Sequence, residues 1–264
     1  MYHLYPVCTV LKPYIDCFWE SDFQKAENGL YQELYVAQFN PNVIFNLHKN
    51  YQYNSNLVEL STAVTVNTAP ILFTHQADNQ LFGIRFKTGA LRLFTPLAMH
   101  ELADEMLNIN DLFDDKVAML ETKIQDCSST AERIAVAETF LIQHFDTQKL
   151  EKYQLANNIQ QHIQLHCTQT DCIQEVVKKT FLTQRSMDRY FQEYLGLSPK
   201  KMSRLMRFEQ SFAALHQDKN TFNYYDFGYY DQAHYSKEFK IFCGFSPTEY
   251  LKSTYFVQNL QAEH

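Results

Sequence analysis

A four-residue motif that occurs twice in the C-terminal part places the strongest constraint on how this chain folds. Glycine, a hydrophobic residue, serine and proline follow one another at residues 196–199 and again at residues 244–247. Glycine commonly ends a helix because it adopts the left-handed backbone conformation, and Ser-Pro is a typical start of the next helix. Each copy therefore predicts a junction between two helices, and the repetition predicts two structurally equivalent units.

The residues in front of the first junction have the pattern of a short helix, a tight turn and a second helix. The short helix is marked by four apolar residues, Ile173, Val176, Val177 and Phe181. Thr183 is a good N-cap for the second helix, which Gly196 ends. The same succession returns in residues 222–243, and a long helix over residues 199–215 joins the two units. This arrangement is typical of helix-turn-helix units.

The second helix of the second unit has two chemically distinct faces. Gly228 ends the helix in front of it, and the polar helix starts at Asp231. One face carries Gln232, His234 and Lys237, and the other carries Tyr235, Phe239 and Phe242. Such a helix buries its aromatic side and presents hydrogen-bonding groups outward, which is typical of a helix that enters the major groove of DNA.

The charge of the chain is unevenly distributed. The net charge is −7, yet residues 151–264 carry +1 while residues 1–150 carry −8. Within residues 178–207 the local net charge is +6, and we call this segment the basic island. A basic island in an acidic chain is a typical electrostatic footprint for phosphates. Charge alone does not distinguish this interpretation from an ordinary solvated helix face.

The chain divides near residues 146–153. Before this point, short aromatic or β-branched runs between turn residues predict strands at 14–19, 43–47, 57–66 and 81–87. Helical periodicity follows at 98–106, 117–124 and 131–145. The expected fold class is α+β: a β-rich antiparallel domain, cupin-like or of another topology, over residues 1–150, and an all-α domain with two helix-turn-helix units over residues 151–264.

The C-terminal motifs resemble those of the AraC/XylS family of bacterial transcription regulators. The resemblance covers about residues 155–252 and rests on residues 182–191, 196–199, 204–207 and 228–250. The runs at 13–19, 43–47 and 82–90 look like a sensor domain found in some members of that family. The resemblance implies a seven-helix DNA-binding domain whose two recognition helices face successive major-groove segments about 34 Å apart.

By position in the motif, the resemblance also implies the residues that contact DNA. The base-contacting residues are Arg185, Asp188 and Arg189 in the first unit, and Gln232, His234 and Lys237 in the second. Arginine suits guanine and glutamine suits adenine, whereas Asp188 either accepts from cytosine or favours the helix dipole. The residues better suited to the phosphate backbone are Lys178, Thr183, Lys200 and Lys201.

The chain departs from the family pattern in the first helix of each unit, where members usually carry a small residue. Val177 and Phe181 occupy the corresponding positions of the first unit, and Tyr224 occupies that of the second. A bulky ring there alters how the two helices of a unit approach each other. We therefore expect the first unit, with Arg185 and Arg189, to supply most of the binding energy.

The sequence gives little support for catalysis or metal binding. His162 and His166 are one helical turn apart, with Cys167 and Cys172 nearby, but no CxxC or HExxH accompanies them. We expect no catalytic residue, no metal and no cofactor. Scattered cysteines, no membrane-spanning run and no secretory signal indicate a cytoplasmic protein.

The sequence thus predicts a cytoplasmic, non-enzymatic transcription regulator, activator or repressor, whose N-terminal domain senses a signal or mediates dimerisation. The expected partners are double-stranded promoter DNA, a small-molecule effector, a second copy of the chain and, for an activator, RNA polymerase; a membrane is not among them. One alternative is a protein-interaction module with degenerate helix-turn-helix units. A weaker one is a metalloenzyme that uses His162, His166 and Cys172.

Overall fold

The computed structural model has the expected α+β architecture. It describes residues 2–23, 30–48, 50–58, 61–76, 79–113, 117–168, 172–180, 182–253 and 256–257. Phe181 and residues 258–264 lie outside this described part, as do the side chains of Cys172, Phe256 and Val257. Antiparallel strands fill the N-terminal part, and helices follow from residue 109 onward.

Two sheets form the N-terminal domain. The first contains, in spatial order, β1 (Tyr2–Tyr5), β2 (Ile15–Asp22), β9 (Gln80–Phe86), β4 (Asn42–Asn46), β7 (Thr62–Val64) and β10 (Met106–Asn108). The second contains β3 (Leu30–Tyr35), β8 (Ile71–Gln76), β5 (Tyr51–Tyr53) and β6 (Asn56–Val58), and β11 (Phe256–Val257) adds to its edge parallel to β3. The C-terminal end of the chain therefore returns to the N-terminal domain.

The inner strands of the first sheet are buried on both faces. Successive side chains of a strand point to opposite faces, so Phe18 packs towards the helices while Trp19 packs between the two sheets. Gly83 lies opposite Trp19 on the neighbouring strand, and a Cβ atom at Gly83 would lie only 2.0 Å from the indole ring. Glycine at this position gives the indole the space it occupies.

The helices form the rest of the chain. They are α1 (Ile109–Leu112), α2 (Val117–Asp126), α3 (Thr130–Gln143), α4 (Leu150–His166), α5 (Cys172–Thr180), α6 (Gln184–Tyr190), α7 (Pro199–Gln217), α8 (Gln232–Cys243) and α9 (Pro247–Tyr250). A π-helical turn, Phe191–Leu195, continues α6, and 3-10 turns occur at Ala90–Leu93, Met99–Glu101, Thr147–Lys149 and Tyr224–Phe227. Among the described helices, none has the length and apolar composition needed to span a membrane.

Two expectations about the N-terminal domain are wrong. Residues 98–106 do not form a helix; they contain a 3-10 turn, and Met106 then begins β10, which pairs with β7 at the end of the first sheet. Residues 57–66 do not form one strand, because Val58 ends β6 in the second sheet and Thr62 begins β7 in the first. Strand pairing outweighed the local helical periodicity at Met106.

The predicted helix junctions are confirmed. Ser198 and Ser246 cap α7 and α9 by accepting hydrogen bonds from the N–H groups of Lys201 and Glu249, at 3.4 and 3.3 Å. Gly196 and Gly244, in front of them, have φ angles of 80° and 86°. The connecting helix α7 ends two residues beyond the expected position, at Gln217.

Candidate nucleic-acid interface

The first helix-turn-helix unit consists of α5, a short turn and α6. The Thr183 hydroxyl caps α6 and accepts from the N–H of Ser186 at 3.1 Å. Met187 is fully buried and fixes which face of α6 points inward. Arg185 and Arg189 are exposed on α6, and within the described residues neither has an ion-pair partner. The first recognition helix therefore presents two exposed guanidinium groups without ion-pair partners in the described part of the chain, and that of Arg189 lies over the ring of Tyr190.

Asp188 differs from the two arginines. It is half-buried, and its carboxylate accepts a hydrogen bond from the Gln184 side chain at 3.1 Å. It lies beyond the first turn of α6, which contains no acidic residue, so its position does not support the helix-dipole interpretation.

Lysines surround the first unit. Lys178 lies in the last turn of α5, whereas Lys200 and Lys201 lie in the first turn of α7, and all three are exposed. A cation at a helix N-terminus is unfavourable for the isolated helix, because the backbone N–H groups already give that end a partial positive charge. The same combination is favourable for a phosphate.

The second unit is built differently from the first. Its first helix is only the four-residue 3-10 turn Tyr224–Phe227, capped by Asn223. The bulky ring of Tyr224 stacks on Tyr235 of α8, with 5.8 Å between ring centroids. Gly228 then ends the turn at a φ angle of 72°, and Asp231 caps α8 by accepting from the N–H of His234 at 2.7 Å. The predicted departure from the family pattern thus coincides with a shortened helix.

The second recognition helix, α8, presents its predicted polar face outward. Gln232 and Lys237 are exposed. His234 is half-buried, and its Nδ1 accepts from the N–H of Tyr230 at 3.3 Å. The other ring nitrogen, Nε2, is therefore the one suited to an external partner. The aromatic face of α8 packs on α7, where Phe239 lies 5.6 Å from Phe208 between ring centroids.

Two arginines of the basic island hold the second unit in place. The Nε and Nη2 groups of Arg204 donate to Oε1 of the buried Glu238 at 2.9 and 2.6 Å. Arg207 donates to the carbonyl of Gly228 at 3.2 Å and lies over the ring of Tyr229. Both arginines belong to the basic island that the sequence predicts as a phosphate footprint, and their structural role was not predicted. The only available signal was Glu238, an acidic residue between the aromatic positions of α8.

Both units also contact the N-terminal domain. At the first unit, Arg92 pairs with Glu193 at 3.5 Å, and both residues line a groove of about 350 Å³ together with Arg189. At the second unit, the N–H of Ala37 donates to the carbonyl of Phe242, the last turn of α8, at 2.9 Å. The N-terminal domain is therefore placed to influence both recognition helices.

The histidine–cysteine group remains without a metal-binding arrangement in the described part of the chain. The rings of His162 and His166 lie 4.7 Å apart between centroids and are tilted by 54°. No cluster of three or more His, Cys, Asp or Glu side chains able to hold a metal occurs among the described residues.

One histidine, His216 in the last turn of α7, contacts Tyr250 of α9, and we expect this contact to depend on pH. Nδ1 of His216 lies 2.8 Å from the carbonyl oxygen of Phe212 and therefore donates, so Nε2 accepts from the Tyr250 hydroxyl at 2.7 Å. Burial, assisted by Lys219, lowers the pKa of His216 because the charged imidazole is poorly solvated there.

We expect this histidine to make the protein less stable in mild acid. The unfolded chain binds the proton near the ordinary pKa of about 6.5, and the folded chain only at lower pH, so the free energy of unfolding falls as the pH drops below about 6.5. Urea unfolding at several pH values measures this fall, and His216→Gln should reduce it. An identical pH dependence in the variant would contradict this assignment.

Each unit has a capped second helix, α6 or α8, and α7 connects the two units. This arrangement defines a protein with two helix-turn-helix units, and in this class of protein the second helix of a unit enters the major groove of DNA. Residues 176–253 match the family described as Helix-turn-helix domain. The C-terminal part of this chain therefore contains a helix-turn-helix domain of the AraC type. Residues 3–108 match a second family, described as Domain of unknown function (DUF6597).

Distant structural likenesses extend over most of the chain. A structure of ToxT from Vibrio cholerae is 10% identical, with 89% of this chain and 98% of that chain covered and a TM-score of 0.47. Wild-type ToxT bound to an unsaturated fatty acid is 12% identical, with 89% and 94% covered and a TM-score of 0.44. These values are too low to assign a ligand or a detailed fold to this chain. A search of curated proteins found no match.

Proposed function

We propose that this chain is a cytoplasmic, non-enzymatic transcription regulator that binds promoter DNA through both helix-turn-helix units. The observation that carries the proposal is α6, a capped recognition helix within the matched family region that presents Arg185 and Arg189 without ion-pair partners in the described part of the chain. Such groups suit the O6 and N7 edge of guanine. Asp188, held by Gln184, accepts from cytosine N4 in the same groove.

The second unit contributes a second set of base contacts. Gln232 and Lys237 are exposed on α8, and Nε2 of His234 faces away from the hydrogen bond that holds Nδ1. Glutamine suits the N6 and N7 edge of adenine. Because its first helix is reduced to one 3-10 turn, we assign this unit the smaller share of the binding energy.

Phosphate contacts position the protein on the duplex. We assign them to Lys178, Thr183, Lys200 and Lys201, which surround the first recognition helix and are all exposed. The N-terminus of α7 adds backbone N–H groups and a partial positive charge to the two lysines of its first turn.

The N-terminal domain supplies regulation in this proposal. Its contacts with both units, at Glu193 and at Phe242, support a domain that restrains the recognition helices until a small-molecule effector binds. A second copy of the chain and, for activation, RNA polymerase are the further proposed partners.

Salt-dependent DNA binding tests the proposed function. We expect affinity for duplex DNA to fall steeply with salt, because phosphate binding releases counterions. Arg185→Ala and Lys237→Ala should weaken binding, whereas Lys152→Ala, on an exposed part of α4, should not. If both variants bind every duplex like the wild type, the alternative of a protein-interaction module with degenerate units is favoured.

Lys200→Ala is expected to weaken binding to all sequences equally, since a phosphate contact carries no sequence information. The slope of log affinity against log salt should become shallower by roughly one unit. Titrations of two unrelated duplexes at several salt concentrations measure both effects, with Lys12→Ala, an exposed lysine of the N-terminal domain, as control. An unchanged slope would remove Lys200 from the phosphate contacts.

A further inference from the structure

A charged side chain lies in the core between the two sheets. Glu33 of β3 has only 2% of its side chain exposed and lines a cavity of about 10 Å³, which we call the Glu33 cavity. The cavity is also lined by Tyr2, Trp19, Tyr51, Phe73 and His75. A cavity of this size holds about one water molecule or another group of similar volume.

The partners of Glu33 compensate its charge incompletely. Its two carboxylate oxygens accept from the Tyr2 hydroxyl at 2.9 and 2.8 Å, and Nε2 of His75 lies 3.4 Å away. The buried Arg85 forms no ion pair with Glu33 among the described residues. Removing a carboxylate from water costs several kcal/mol, so this site favours a further cation.

His75 adds unused hydrogen-bonding capacity beside the carboxylate. Its side chain is 2% exposed and stacks on Phe23 with 4.0 Å between ring centroids. In the described part of the chain, neither of its ring nitrogens makes a hydrogen bond. A buried imidazole is normally hydrogen-bonded, so a ring that lines a cavity and has, in the described part of the chain, only the 3.4 Å approach of Nε2 to Glu33 indicates a missing polar ligand.

Aromatic rings complete the walls of the Glu33 cavity. Tyr2, Trp19, Tyr51 and Phe73 all line it. The faces of aromatic rings carry negative electrostatic potential and attract cations, most strongly when water is excluded. A carboxylate, an imidazole nitrogen and several rings around a water-sized space favour an ammonium group over an anion, which Glu33 would repel.

We infer that the Glu33 cavity binds the ammonium head group of a primary amine; as an effector site, this inference rests on the function proposed above. The ammonium group donates to the Glu33 carboxylate and to a ring nitrogen of His75, and the rings surround it. One ammonium group supplies a hydrogen bond to each of these acceptors, as a water molecule would, and it also carries the positive charge that the buried carboxylate favours.

Tyr2 controls access for the rest of such a ligand. It lies on β1, an edge strand of the first sheet whose strand partner is β2, yet its hydroxyl reaches Glu33 in the second sheet. Its ring lies 5.3 Å from that of Trp19. Burial and the Glu33 charge raise the pKa of Tyr2 well above its usual value, so its hydroxyl remains a donor. The carbon chain of an amine needs the space that the Tyr2 ring occupies, so binding of an amine to the wild type requires this ring to move aside.

The test uses the fluorescence of Trp19, the single tryptophan of the chain and a wall of the cavity. We expect phenethylamine to change the emission saturably and phenylpropanoate, a carboxylate of similar shape, to leave it unchanged. Glu33→Gln should weaken amine binding at least about tenfold, the effect of losing a hydrogen bond to a charged group. Glu20→Gln removes the partner of Arg133 outside the cavity walls and should bind like the wild type.

Tyr2→Ala should bind phenethylamine more tightly, because it opens the space beside Glu33. Circular dichroism shows whether Glu33→Gln folds. If it does not fold, the site is tested by comparing the responses of the wild type and of Tyr2→Ala to the amine and to the carboxylate. Three results would overturn the site. The first is an equal response to the carboxylate, and the second is undiminished amine affinity in a folded Glu33→Gln. The third is the absence of a saturable amine response in both the wild type and Tyr2→Ala. Measuring DNA affinity with and without phenethylamine distinguishes the amine site from its role as an effector site. If the amine binds but DNA affinity does not change, the site remains and the effector role is excluded.

Discussion

Replacing Arg204 with alanine is expected to destabilise the protein by about 2–3 kcal/mol, because Glu238 would remain buried without its cation. The value lies below that of a fully buried pair, since Arg204 is 35% exposed whereas Glu238 is 8% exposed. Urea unfolding measures the change in the free energy of unfolding. The loss should also disorder the docking of α8 on α7 and remove the proposed DNA contacts of the second unit.

Two further variants separate the ion pair from a general effect on α7. Lys200→Ala, which removes an exposed cation from the same helix, should leave the free energy of unfolding within about 0.5 kcal/mol of the wild type. The double variant Arg204→Met with Glu238→Leu should recover stability, because no buried charge remains. A single Arg204→Ala variant as stable as the wild type would contradict the proposed role of this pair.

Replacing Arg185 with alanine is expected to cost about 1–3 kcal/mol of binding free energy at a specific site and to relax the base preference at one position. Stability should hardly change, because Arg185 is exposed and has no ion-pair partner among the described residues. Arg189→Ala should behave in the same way. Titrations with a selected duplex and with duplexes altered one base pair at a time measure the effect.

The same titrations contain the internal comparison. Lys152→Ala removes one exposed cation outside the basic island and should leave the base preference intact. If Arg185→Ala weakens binding to every duplex by the same factor, Arg185 contacts phosphate instead of bases.

The helical framework could be predicted from the sequence because its signals are local. Thr183, Ser198, Asp231 and Ser246 each cap the helix that follows, and the responsible hydrogen bonds join residues only three positions apart. Glycine at the helix ends has the same local character, as the φ angle of Gly244 shows. Such interactions depend on neighbouring residues, so the pattern alone reveals them.

The ion pairs and the sheet order could not be predicted, because they join distant parts of the chain. Arg204 and Glu238 meet across two helices, and Glu33 and His75 meet across two strands. The region around Met106 carries helical periodicity, yet its backbone groups pair with β7 at the end of the first sheet. Local sequence contains no information about these partners.

The second unit shows where a family pattern and a particular chain separate. Tyr224 occupies a position that is usually small, and the structure has a 3-10 turn there in place of an α-helix. The exposed face of α8 is nevertheless preserved, with Gln232 and Lys237 pointing outward. Whether both units engage DNA is therefore the central question about this protein.

Selection of bound DNA from a random pool, followed by footprinting of the winning sequence, answers it most directly. If both units bind DNA, we expect two protected segments about one helical turn apart. Arg185→Ala should remove the protection of one segment and Lys237→Ala that of the other. Protection of a single segment that Lys237→Ala leaves intact, or a pool with no enriched sequence, would contradict DNA recognition by both units.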